Sequence, residues 1–78
     1  MYRTPDLYLA SYLKATGIDI VEIDRKRRKV FFVFKESEEL TQRCLDFLND
    51  GMVSVNRYKN ALQDLKTEIF NGGRYGNQ

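Results

Sequence analysis

The sequence predicts an α+β domain built in the order helix, two-stranded antiparallel β-hairpin, helix, helix. Three observations predict it. Residues 18–35 hold two runs, Ile18-Asp-Ile-Val-Glu-Ile-Asp24 and Val30-Phe-Phe-Val-Phe-Lys35, separated by the basic stretch Arg25-Lys-Arg-Arg-Lys29. Their β-branched and aromatic side chains suit a pleated surface. On both sides of this segment apolar residues recur at spacings of three and four, the period of an amphipathic helix. Capping residues and glycines punctuate each helical stretch. A chain of 78 residues has room for one domain. It is assigned to residues 1–71, with 72–78 as a disordered tail.

The first helix is expected over residues 5–16. Thr4 would be its N-cap, Pro5 its first helical residue, and Asp6 would favour the positive end of the helix dipole. Leu9 and Leu13, with Tyr8 and Tyr12 beside them, make one wide apolar face. The tyrosines read first as core residues with hydroxyls at the rim, and second as a stacking platform for bases. Gly17 suits the left-handed residue that ends a helix.

The first strand is expected over 18–24, with Ile18 and Ile20 on one face and Val21 and Ile23 on the other. The tip lacks Asn-Gly or Asp-Gly, so a loop of about four residues is expected instead of a tight two-residue turn. The second strand, 29–35, would turn Val30, Phe32 and Phe34 one way and Phe31 and Val33 the other. A strand with one wet face alternates apolar and polar residues, and this one does not. Both of its faces demand cover, from helices or from another molecule.

Ser37 caps the next helix, 38–49, with Glu38 and Glu39 in its first turn. Leu40, Cys44, Phe47 and Leu48 form its buried stripe, and Leu45 widens that stripe toward the surface. Gly51 would be the residue that ends it. Ser54 or Asn56 caps the last helix, 56–70, whose stripe is Tyr58, Ala61, Leu62, Leu65 and Ile69. Phe70 falls off that stripe, on the side of Lys59 and Lys66. The glycine-rich end, Asn71 to Gln78, faintly resembles an arginine–glycine nucleic-acid tail.

Composition narrows the function. A single cysteine and no histidine exclude an internal disulfide and a Cys/His zinc centre. Cys44 reads as a small buried hydrophobe, since no histidine is present to activate it. There is no glycine-rich phosphate loop. Glu36, Glu38 and Glu39 are explained by helix capping without a metal. No cofactor and no enzymatic activity are expected. Met1–Asp6 lacks the apolar core of a secretory leader, and no apolar run approaches the ~20 residues that span a bilayer. A cytoplasmic, non-membrane protein is therefore expected. A core this small is marginal and often recruits a partner subunit.

The opening Tyr2-Arg-Thr-Pro-Asp-Leu-Tyr-Leu-Ala-Ser-Tyr-Leu13, the hairpin ending Val30-Phe-Phe-Val-Phe34, the acidic helix start and the final Tyr58…Ala61-Leu62…Leu65-Lys66 together resemble a family of small domains of unknown function found in bacteria and their phages. The resemblance spans about residues 2–71. It implies the element order and a phage or mobile-element setting, and it carries no activity. The chain departs from it at the tip, where Lys26-Arg27-Arg28 replaces a glycine-containing turn.

Two functional readings follow. The first is a non-enzymatic interaction module, an accessory protein of a phage or mobile element that binds another protein or itself, with Phe31, Val33, Leu45 and Phe70 as contacts. The alternative is a nucleic-acid-binding protein that uses Arg25, Lys26, Arg27, Arg28 and Lys29 on phosphates. A net charge of +2 says little about either. The charge distribution matters more, with positive residues at 25–29 and negative ones at 36–39. Exposed hairpin tips are also often charged simply to discourage aggregation.

Overall fold

A computed structural model describes residues 1–26 and 28–70. The expected tail lies outside the described residues, as does Arg27. The elements are β1 (Tyr2–Thr4), α1 (Leu7–Ala15), β2 (Ile20–Lys26), β3 (Lys29–Phe34), α2 (Glu38–Leu48) and α3 (Val55–Phe70). The α+β class and the run from helix through strands to two helices agree with the sequence. The two-stranded hairpin does not, because the sheet has three antiparallel strands in the order β1-β3-β2.

The extra strand comes from the segment expected to start the first helix. Thr4 precedes Pro5, whose ring disfavours helical backbone at the residue before it. Tyr2, Arg3 and Thr4 therefore stay extended and pair with Phe34, Val33 and Phe32. The N-cap moves from Thr4 to Asp6, whose carboxylate accepts from the amides of Tyr8 at 2.9 Å and Leu9 at 3.2 Å. The Thr4 hydroxyl accepts from the Asp6 amide at 3.1 Å. At the other end Gly17 adopts φ 101°. Gly17 N–H donates to Lys14 and Ile18 N–H to Leu13, the paired bonds of a Schellman ending.

The hairpin also departs from simple alternation. Its register shifts between Ile20 and Glu22, and one extra residue at a bulge inverts the phase of the strand beyond it. Ile20 and Ile23 thereby share a face, opposite Phe34 and Phe32, where alternation had separated them. Pairing continues to Lys26 opposite Lys29. Two residues separate the arms, not the expected four.

One face of the sheet carries the core. Ile23, Phe32 and Phe34 cluster with Leu9, Ala10 and Leu13 of α1, Leu40 of α2 and Leu65 of α3. Helix α1 packs against both other helices, and Tyr12 meets Phe47 of α2 with ring centroids 5.5 Å apart. Tyr8, the other half of the expected tyrosine pair, is exposed.

α2 starts as expected, with the Ser37 hydroxyl accepting from Leu40 N–H at 3.0 Å. Its end differs. Asp50, with φ 59°, takes the left-handed position assigned to Gly51. Gly51 closes the turn by donating to the Asp46 carbonyl, and any Cβ there would run into the Tyr12 hydroxyl and Asp46. Leu48, expected in the buried stripe, is 76 % exposed. Ser54 caps α3 by accepting from Arg57 N–H at 3.3 Å.

Candidate functional site

The outer face of the sheet, which the doubly apolar β3 left in need of cover, is partly covered from within the chain. Arg3 of β1 sets its guanidinium carbon 4.8 Å from the centroid of the Phe31 ring. The same guanidinium pairs with Asp24 of β2 at 2.5 Å. Phe31 is half-buried beneath it, and Val33, between Arg3 and Glu22 in the sheet register, is only 4 % exposed. The added strand therefore supplies part of the cover that the doubly apolar strand demands. The four expected contact residues do not share a surface. Phe31 and Val33 belong to the outer sheet face, Leu45 to α2 and Phe70 to the end of α3, where it is 83 % exposed.

The basic tip divides. Lys26, Arg28 and Lys29 are exposed. Arg25 is not, because its position opposite Val30 points it to the helix-bearing face. Its guanidinium donates to the carbonyls of Ile69, at 3.3 Å, and Glu68. These carbonyls end α3 and carry the negative pole of its dipole, so a cation is favoured there. Arg25 thus ties the tip to the end of α3, next to Phe70. The sequence offered no signal for this contact, which joins residues more than 40 apart.

A second surface lies between β1 and α2. Tyr2, Leu40, Thr41 and Cys44 line an open groove of about 500 Å³ whose rim carries Glu36 and Glu38. Burial raises the Tyr2 hydroxyl above its ordinary pKa, and the neighbouring Cys44 thiol adds to the effect. Burial also raises the Cys44 thiol, which keeps it protonated at neutral pH and a poor nucleophile. Along α2 the groove side continues through Leu45, 49 % exposed, to Leu48, since residues three and four apart share a helix face. The sequence placed Leu48 in the core. Its neighbour Phe47 packs against the core instead, and Leu48 falls on the Leu45 side of the helix.

Among the described residues no group of three or more His, Cys, Asp or Glu side chains is placed to hold a metal ion. No described helix is long and apolar enough to cross a membrane. The described residues present two surfaces: an apolar groove beside the β1 edge, and a basic tip fastened to a helix end.

No curated protein and no solved structure matches the chain. The family model DUF5659, a domain of unknown function, matches residues 1–71, and the chain belongs to that family.

Proposed function

We propose that this domain is a protein-interaction module whose groove between β1 and α2 takes an extended segment of a partner protein. The observation that carries the reading is the conjunction of three features on one side of the molecule. The groove surface is largely apolar, with Tyr2, Leu40 and Cys44 among polar residues, β1 is an edge strand with one neighbour, and Leu45 and Leu48 extend the apolar strip. An edge strand offers main-chain hydrogen bonds to an added strand, and an adjoining pocket selects its side chains. Glu36 and Glu38 at the rim favour a partner with a lysine or arginine beside its apolar anchor. A phage or mobile-element accessory protein that engages a host or phage enzyme fits this description.

Selection from a random peptide library tests the reading. Enriched peptides should combine an apolar anchor with a basic residue. Their affinity should fall at least about tenfold against Thr41→Trp, which fills the groove from an exposed position, and tenfold corresponds to about 1.4 kcal/mol. Failure to enrich such peptides, or equal binding by a folded Thr41→Trp protein, would sink the proposal. Light scattering coupled to size exclusion asks separately whether a second copy occupies the groove.

A further inference from the structure

The contact between Arg25 and the end of α3 has a consequence for the exposed residues around it. It sets Phe70 beside the hairpin tip. Phe70 is also the last residue of a row along α3. Lys59, Gln63, Lys66 and Phe70 are separated by four, three and four residues, so they lie in line on one helix face. All four are exposed. The acidic residues of α3, Asp64 and Glu68, lie well to the side of that row, more than about 100° around a helix of 3.6 residues per turn. The row spans about 17 Å at 1.5 Å per residue and ends at the helix terminus to which Arg25 ties the hairpin tip.

Two further features single out this track. Lys26 and Lys29 stand directly opposite each other in the hairpin, and like charges so placed destabilise a sheet. An anion bound between them would relieve that repulsion. The acidic cluster at 36–39 does not cancel the field, because it lies beyond the opposite end of β3. That strand separates the two by about 17 Å, roughly twice the screening length at physiological salt.

We propose that this track is a single-stranded nucleic-acid site, separate from the β1–α2 groove. Lys59, Lys66, Lys26, Arg28 and Lys29 neutralise successive phosphates, and Phe70 offers an exposed ring on which a base stacks. A cationic path with an aromatic platform is the arrangement that holds single strands without regard to sequence. A duplex keeps its bases stacked internally and cannot use the ring. Arg25 is a positioning residue here, since its guanidinium is spent on α3.

The test is a fluorescence-anisotropy titration of the full chain with labelled single-stranded DNA, single-stranded RNA and duplex DNA of mixed sequence, from roughly 50 to 200 mM salt. Binding to single strands is expected, with the logarithm of affinity falling against the logarithm of salt at a slope of about −3.5 for five phosphate contacts. Replacing Lys26, Arg28 and Lys29 with Ser should make the slope shallower by about 2. Phe70→Ala should weaken single-strand binding about tenfold and leave the slope unchanged. Comparing DNA with RNA distinguishes the two sources of the same backbone chemistry. The proposal is overturned by no binding at the lowest salt, by a preference for duplex that Phe70→Ala does not alter, or by a slope indifferent to the tip replacements.

Discussion

Arg25 and Arg28 stand three residues apart in one basic run and live in different environments. Arg28 is exposed, whereas Arg25 is half-buried, donating to the last carbonyls of α3, and its Nε has no hydrogen-bond partner. Hydrogen bonds from a charged donor contribute about 1.5–3 kcal/mol, offset here by the buried Nε. Arg25→Ser should therefore cost about 1–2 kcal/mol in chemical denaturation, and Arg28→Ser should stay within about 0.5 kcal/mol of the parent. Equal effects would mean that the contact with α3 does not persist in solution. The sequence made this pair look alike, because a run of five cations carries no mark of which one faces inward. That choice came from the bulge near Val21, which reset the phase of β2.

Strand β3 is apolar on both faces, yet its two faces are not equivalent. Phe32 is buried in the core cluster to which all three helices contribute, while Phe31 rests under Arg3 at the surface. Removing a fully buried aromatic ring costs about 3–5 kcal/mol, so Phe32→Ala should cost that much. Phe31→Ala loses a cation–π contact of about 0.5–1 kcal/mol and part of its burial, and should cost about 1–2 kcal/mol. Denaturation midpoints that fall together for the two variants would contradict the facing of β3. The grouping of Phe32 apart from Phe31 was legible from alternation, as were α2, α3, the Ser37 cap and the Gly17 ending, whereas the face that the helices cover was decided by the tertiary packing. The strand β1 was not read, although its signal was present in Thr4 before Pro5. A three-residue strand has too little periodicity of its own and forms only because β3 offers a partner.

For the whole molecule, the groups with displaced pKa values make stability depend on pH in the alkaline range. Burial raises the Cys44 thiol from 9.0, and raises the Tyr2 and Tyr58 hydroxyls from 10.0. Each group therefore loses its proton more readily in the unfolded chain than in the folded one. The stabilisation is complete below the unfolded values and is lost as pH rises through the folded ones. Folding stability should hold near neutral pH and decline from about pH 9 upward. Cys44→Ala should decline less over that interval than the parent chain. Parallel curves would show that the thiol is not desolvated where β1 meets α2, and would weaken the case for an apolar groove there.

By itself the sequence determined the α+β class, the order of helix, hairpin and two helices, most helix ends and the division of β3 into a Phe32–Phe34 face and a Phe31–Val33 face. These are local consequences of periodicity, capping and turn chemistry, which act over a few residues. The tertiary structure decided the third strand, the bulge, the cover over Phe31 and Val33, and the neighbours of Arg25. Each of these joins residues distant in the chain or depends on which face a strand turns to its partner. Both candidate surfaces follow from those long-range choices. The groove exists because β1 pairs with β3, and the basic track exists because Arg25 reaches the end of α3.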